Sequence, residues 1–144
     1  MAGYHIREIE NGVFGQFSKI KEEFDEFLDA LDQNCTLMAL LELSDLLGAL
    51  EGYCLKKNIS FTDLISKSVE AAAVVHPERK TNLHFRFSQI TQASSQEEVI
   101  ARLEDFLVDV VLYVETFNLR MLDLLTMSKI TQRAFISGHR TPKE

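Results

Sequence analysis

The sequence is poor in residues that interrupt or cross-link a chain, with six glycines, two prolines, two cysteines and no tryptophan among 144 residues. Cys35 and Cys54 form no CxxC motif, so we expect them to be reduced core thiols. No apolar run reaches the roughly 18 residues that a membrane span needs. The N-terminal stretch also lacks the basic start and apolar block of a signal peptide. These absences favour a cytoplasmic protein.

Basic residues are fewer than acidic ones, with 15 lysines and arginines and 22 aspartates and glutamates, which gives a net charge of −7. Such a balance argues against binding a nucleic-acid polymer through a broad basic surface. Hydrophobic residues make up 46% and charged residues 26% of the chain, which is typical of a globular protein. We therefore expect a single domain over residues 1–144 with a proper core.

Apolar residues recur at helical spacing along most of the chain, and nothing alternates long enough to predict a strand. The segment 81–96, rich in Ser, Thr, Gln and Asn, is predicted to be irregular. The sequence therefore predicts an all-α bundle of about four to five helices. The predicted helices run from Ile20 to about Leu31, over 37–57, from Ser60 or Thr62 to about Val75, from Ser95 to about Phe117, and over 120–136.

Carboxylates occupy unusual positions on the first two predicted helices. Glu23 and Glu26 lie one turn apart on the flank of the first apolar stripe. Glu42 and Asp45 are likewise one turn apart, within fourteen residues that hold no other charge. The first pair alone would suit a solvated helix face. The second helix, however, is apolar on nearly every side, and an unpaired buried carboxylate is costly, so a cation must compensate these acids.

The turn between the two helices is short, which predicts antiparallel packing of the helices side by side. The four carboxylates can then meet at one point. Hard cations such as Mg²⁺ and Mn²⁺ prefer oxygen ligands of this kind. The residues therefore predict a Mg²⁺ or Mn²⁺ site made of Glu23, Glu26, Glu42 and Asp45.

The spacing of these acids, ExxE followed by ExxD, resembles the MazG-like all-α nucleoside triphosphate pyrophosphohydrolases. Four stretches of the sequence are similar to those of the small family members carried by bacteriophages: "GYHIREI", "GQFSKIKEEFDEFLDA", "MALLELSDLLGALEGY" and "MSKITQRAFISGHR". The resemblance covers residues 3–57 and 120–140. The intervening segment, about 60–118, is then a family-atypical insertion, and we expect its polar part, 77–96, to act as a lid or an oligomer-specific arm.

The resemblance implies hydrolysis of a nucleoside triphosphate between the α and β phosphates, giving the monophosphate and pyrophosphate. It implies Mg²⁺ or Mn²⁺ ions on the four acids, with Glu22 or Glu23 orienting the attacking water. It also implies a homodimer or homotetramer that serves phage nucleotide metabolism in the host cytoplasm. The family impression favours a purine deoxynucleotide such as dGTP.

Basic and aromatic side chains supply further candidates for substrate binding. Four residues are candidates for receiving phosphate oxygens: Lys19, Lys129, Arg133 and Arg140. For Lys129 and Arg133 a solvated helix end is an equally good interpretation, and for Lys19 a surface position is the better one. Phe14 and Phe17 are candidates for stacking on the base, although core packing suits them better. The histidines form no pair at metal-ligand spacing and are expected to be structural or surface residues: His5, His76, His84 and His139.

Two other functions compete with hydrolysis. One is a non-catalytic helical interaction module that keeps the fold and binds a protein partner through its acidic face. The presence of all four acids on a buried helix pair argues against it. The other is a metal-stabilised helical protein without catalysis, which an assay for pyrophosphate release separates from the enzyme.

Overall fold

The computed structural model of this protein describes residues 4–138, and within that range it contains six α-helices and no strand. The all-α class is therefore confirmed. The predicted number of helices was too low by at least one. The helices are α1 (Phe17–Asp32), α2 (Thr36–Lys57), α3 (Phe61–Ala73), α4 (Leu83–Thr91), α5 (Gln96–Glu115) and α6 (Met121–Ile136).

The helix that the sequence did not predict is α4, which lies inside the segment expected to be irregular. Asn82 caps its first turn, because the Asn82 side chain accepts a hydrogen bond from the backbone N–H of Phe85 at 2.9 Å. The Phe87 ring packs edge-on against the Phe106 ring of α5, with 5.7 Å between centroids. Tertiary packing of its buried apolar residues thus stabilises a helix of nine residues, which would be too short to be stable alone.

Helix ends follow local signals in the sequence. The Ser95 side chain accepts a hydrogen bond from the backbone N–H of Glu98, as expected for the N-terminus of α5. The Ser60 side chain caps α3 in the same way. Asn34 and Asn58 follow α1 and α2 with left-handed backbones, φ 57° and 58°, a conformation that asparagine tolerates better than most residues.

The chain divides into two compact units. One combines the N-terminal segment, α1, α2 and nearly all of α6, and the other is Ile59–Met121 with α3, α4 and α5. The bounds of the second unit lie close to those of the segment 60–118, for which an insertion stays a prediction from the resemblance. The acids predicted to bind metal all belong to the first unit.

In the first unit α1 and α2 pack against each other, connected by residues 33–35. Phe27 of α1 and Leu43 and Leu50 of α2 are fully buried. Helix α6 contacts α2 through an ion pair between Lys129 Nζ and Glu51 Oε1 at 3.0 Å. This packing holds the acidic faces of α1 and α2 toward each other.

In the second unit α3 and α4 pack against α5. The carboxylate of Asp109, on α5, is fully buried and is ion-paired with Arg79 Nη2 at 2.8 Å and with Arg86 Nε at 3.3 Å. It also accepts a hydrogen bond from the backbone N–H of Asn82 at 2.8 Å. These contacts tie the start of α4 to α5.

Two expectations from composition have separate outcomes. Cys54 is a buried free thiol, whereas Cys35 lies part exposed at the N-cap of α2, so the expectation of a core position was wrong for Cys35. Within residues 4–138, no helix has both the length and the apolar character needed to span a bilayer.

Candidate metal centre

Carboxylates from α1 and α2 meet in the first unit. Oxygens of Glu23, Glu42 and Asp45 lie within 4.8 Å of one another, and so do oxygens of Glu22, Glu23 and Glu26. The structure thus brings together the four acids proposed as metal ligands, along with the neighbouring Glu22. We call these five side chains the acidic cluster.

Four members of the acidic cluster are buried, and one is not. Glu42 is fully buried, and Glu22, Glu23 and Glu26 are at most 5% exposed. A solvated face is therefore the wrong interpretation for Glu22, Glu23 and Glu26 of α1. Asp45 is part exposed, so the expectation that it is buried beside Glu42 was also wrong. The cluster is consequently open to solvent at Asp45.

Burial and mutual repulsion change the acidity of the cluster. The pKa of Glu23 is raised to about 9, by burial first and then by the adjacent Glu26 carboxylate. The pKa of Glu42 is raised to about 8 by burial and by contact with Glu26, although the hydrogen bond from Tyr4 opposes the change. Without a cation, these two carboxyls therefore hold protons at neutral pH.

Lys19, one turn before Glu23, belongs to the site. Its Nζ lies 3.0 Å from Glu22 Oε1 and 3.2 Å from Glu23 Oε1. Burial would lower the pKa of Lys19, but the hydrogen bond to Glu22 and the charges of both acids outweigh burial and raise it. The surface position favoured for Lys19 was therefore wrong, because its ammonium group faces the buried acids.

The N-terminal segment is fastened to the end of α1 by Asp29. This fully buried carboxylate accepts hydrogen bonds from the backbone N–H groups of Ile6, at 2.9 and 3.1 Å, and of Arg7, at 3.3 Å. The Gln33 amide donates both to Asp29 Oδ1 and to the carbonyl of Tyr4. Burial would raise the pKa of Asp29, yet these hydrogen bonds lower it. Asp29 is thus an ionised anchor for the segment.

That anchorage places two N-terminal side chains against the acidic cluster. The Tyr4 hydroxyl donates to Glu42 Oε1 at 2.5 Å. His5 Nε2 lies 3.5 Å from Glu26 Oε1, and His5 Nδ1 lies 3.6 Å from Asp29 Oδ2. His5 was expected to be a structural or surface residue, and its position beside the cluster was not predicted. The one signal in the sequence that could have placed Asp29 near the cluster was its position one helical turn after Glu26.

The basic residues of α6 lie apart from these contacts. Lys129 is ion-paired with Glu51, which is six residues beyond Asp45 and so roughly 9 Å further along α2. Arg133 is exposed. Arg140 lies outside the described residues. Phosphate binding by the three residues stays a prediction.

The two candidate aromatic residues lie in different settings. Phe14 is 65% exposed, and its ring covers Gly52 so closely that a Cβ at Gly52 would lie 2.6 Å from it. Phe17 packs edge-on against Tyr53 of α2, with 6.2 Å between centroids, which fits the core-packing alternative. Stacking on a base stays a prediction for both.

The donor set of the acidic cluster suits a hard divalent cation. All five side chains supply oxygen, and such ligands are those that Mg²⁺ and Mn²⁺ prefer. No N–H or O–H donor from residues 4–138 reaches the buried oxygens Glu23 Oε2 and Glu42 Oε2. Buried oxygens without a donor are costly, and a cation would satisfy both of them.

Neither protein-family models, nor curated proteins, nor solved structures give a significant match to this chain.

Proposed function

We propose that this protein is a metal-dependent hydrolase that cleaves a nucleoside triphosphate between its α and β phosphates, releasing a nucleoside monophosphate and pyrophosphate. The observation that carries the proposal is the acidic cluster, in which two helices direct five carboxylates to one place and bury four of them. The resemblance of the flanking sequence to MazG-like pyrophosphohydrolases supports the same reaction. A purely structural role is disfavoured, because burying carboxyls next to one another costs free energy, as the raised pKa values of Glu23 and Glu42 indicate.

The proposed ligands of Mg²⁺ or Mn²⁺ are Glu23, Glu26, Glu42 and Asp45. These residues would hold a divalent ion, which would neutralise phosphate oxygens and lower the pKa of a water bound to it. Asp45 is the part-exposed member, so the triphosphate approaches the cluster from the side on which Asp45 lies. The burial of the other acids keeps bulk water from competing for their oxygens.

Of the two candidates for orienting the attacking water, we assign Glu23. Glu22 Oε1 already accepts a hydrogen bond from the backbone N–H of Gly12 at 2.8 Å and another from Lys19 Nζ. These contacts give Glu22 a role in holding the loop before α1. Glu23 has a carboxylate oxygen within 4.8 Å of Asp45, the part-exposed member of the cluster, and is therefore well placed to accept a proton from water.

Lys19 is the best placed of the candidate phosphate ligands. Its raised pKa keeps it positively charged at neutral pH, and it already contacts two acids of the cluster. Lys129 is paired instead with Glu51, roughly 9 Å further along α2 than Asp45. We therefore expect Lys19 to contribute more than Lys129 to substrate affinity.

The proposal is tested with the eight common ribo- and deoxynucleoside triphosphates, each incubated with Mg²⁺ or Mn²⁺. Pyrophosphate and orthophosphate are measured separately, together with the nucleotide product. We expect equal amounts of monophosphate and pyrophosphate from at least one substrate, and dGTP is the first to examine. Release of orthophosphate with a diphosphate, or no release from any of the eight, would contradict the proposal.

A further inference from the structure

His5 is a buried polar side chain directed into the acidic cluster. It is 9% exposed, and neither ring nitrogen makes a hydrogen bond with any residue of the described chain. Its nearest acidic atoms, Glu26 Oε1 at 3.5 Å and Asp29 Oδ2 at 3.6 Å, lie beyond ordinary hydrogen-bond distance. Burying an imidazole whose two nitrogens make no hydrogen bond costs free energy, unless a further group binds those nitrogens.

The geometry suits a shared cation. His5 has a ring nitrogen within 4.8 Å of carboxylate oxygens of both Glu26 and Glu42. Two ligand atoms that each lie about 2.1 Å from one ion are about 3.0 to 3.4 Å apart at right-angled or tetrahedral positions. The observed 3.5 Å between His5 Nε2 and Glu26 Oε1 is close to this range. The Tyr4 hydroxyl holds Glu42 Oε1, which leaves Glu42 Oε2 to coordinate.

The backbone around His5 is held in place before any ion binds. Asp29 accepts the N–H groups of the two following residues, Ile6 and Arg7, and Gln33 donates to the carbonyl of the preceding Tyr4. Metal-bound histidines commonly direct their second nitrogen toward a carboxylate. Asp29 lies on that side of the ring, beside Nδ1, and so acts as a positioning residue.

We propose that His5 is itself a metal ligand, which with Glu26 and Glu42 forms a mixed nitrogen and oxygen site beside the all-oxygen group of Glu23, Glu42 and Asp45. The inference rests on the metal centre of the proposed function and adds a nitrogen ligand to it. Imidazole favours transition metals, whereas carboxylates alone suit Mg²⁺. The mixed site therefore selects Mn²⁺ or Co²⁺ over Mg²⁺.

The test is electron spin-echo envelope modulation on the full chain loaded with Mn²⁺, because this spectrum detects a coordinated ¹⁴N. We expect nitrogen modulation in the wild type and in His76→Gln, a matched change at an exposed histidine, and its loss in His5→Gln. The Co²⁺-to-Mg²⁺ affinity ratio, measured by calorimetry, should fall about tenfold or more in His5→Gln.

The wild-type spectrum decides the question even if His5→Gln does not fold. Bound Mn²⁺ without nitrogen modulation, or modulation that persists in His5→Gln, overturns the assignment of His5. If pyrophosphate release is intact in that case, the proposed function stands without this ligand. Absence of Mn²⁺ binding together with absence of pyrophosphate release overturns both.

Discussion

Replacing Glu42 by glutamine should stabilise the metal-free protein at neutral pH. The raised pKa of Glu42 means that the folded state keeps a proton that the unfolded chain releases. The free energy of unfolding must therefore fall as the pH rises from 4.5, the ordinary pKa of a glutamate side chain, toward about 8, the pKa of Glu42 in the folded protein. Glutamine imitates the protonated acid at every pH, and its amide oxygen can still accept the Tyr4 hydroxyl.

The size of the effect follows from the pH window. Each pH unit above 4.5 costs the wild type about 1.4 kcal/mol until the folded-state pKa is reached. At pH 7 the advantage of Glu42→Gln is therefore on the order of 3 kcal/mol, whereas at pH 5 it is below about 1 kcal/mol. A cation at 100 times its dissociation constant adds about 2.7 kcal/mol to the wild type and should add much less to the variant.

Urea unfolding at pH 5 and pH 7, with a chelator and then with Mn²⁺, measures these free energies of unfolding. Glu70→Gln on α3 is the matched control. The side chain of Glu70 is exposed, so this substitution should change the free energy of unfolding little at either pH. A Glu42→Gln variant that is less stable than the wild type at pH 7 without metal would refute the reasoning. So would a difference between the two proteins that is the same at both pH values.

The remaining predictions concern assembly and the second unit. We expect at least a homodimer, because Leu37 and Leu55 of α2 are at least 80% exposed. Light scattering at micromolar concentration should give a mass of at least twice 16.4 kDa, and a monomer mass would contradict this. Asp109→Asn should lower the free energy of unfolding by about 3 kcal/mol, because it leaves Arg79 and Arg86 without their buried partner. An unchanged urea midpoint for Asp109→Asn would show that these ion pairs contribute little.

The acids on the two helices could be predicted from sequence because helical periodicity is a local property. Residues three apart share a helix face, so the positions of Glu23, Glu26, Glu42 and Asp45 and the short turn already implied that they meet. The burial of Asp45 was overestimated, because periodicity gives the face of a helix but not the edge at which its neighbour stops covering it.

The contribution of the N-terminal segment could not be predicted in the same way. The Tyr4 hydroxyl reaches Glu42, 38 positions away in the sequence, and the backbone of Ile6 reaches Asp29 across 23 positions. Residues 4–16 contain no helix and so no periodicity that would orient their side chains. Helix α4 was missed although its buried residues Leu83, Phe87 and Ile90 have helical spacing. It is only nine residues long, and the prediction gave more weight to the polar composition around it.

The most direct test of the metal centre is to compare Asp45→Asn with Asp25→Asn for pyrophosphate release and for melting temperature without metal. Asp25 lies on α1 and is ion-paired with the exposed Lys21. Asp45→Asn should reduce pyrophosphate release by about a hundredfold or more, since even outer-shell partners of a metal can matter that much, while its metal-free melting temperature stays equal or rises. Asp25→Asn should keep the wild-type rate. A clear drop in the metal-free melting temperature of Asp45→Asn, with pyrophosphate release intact, would contradict the metal centre.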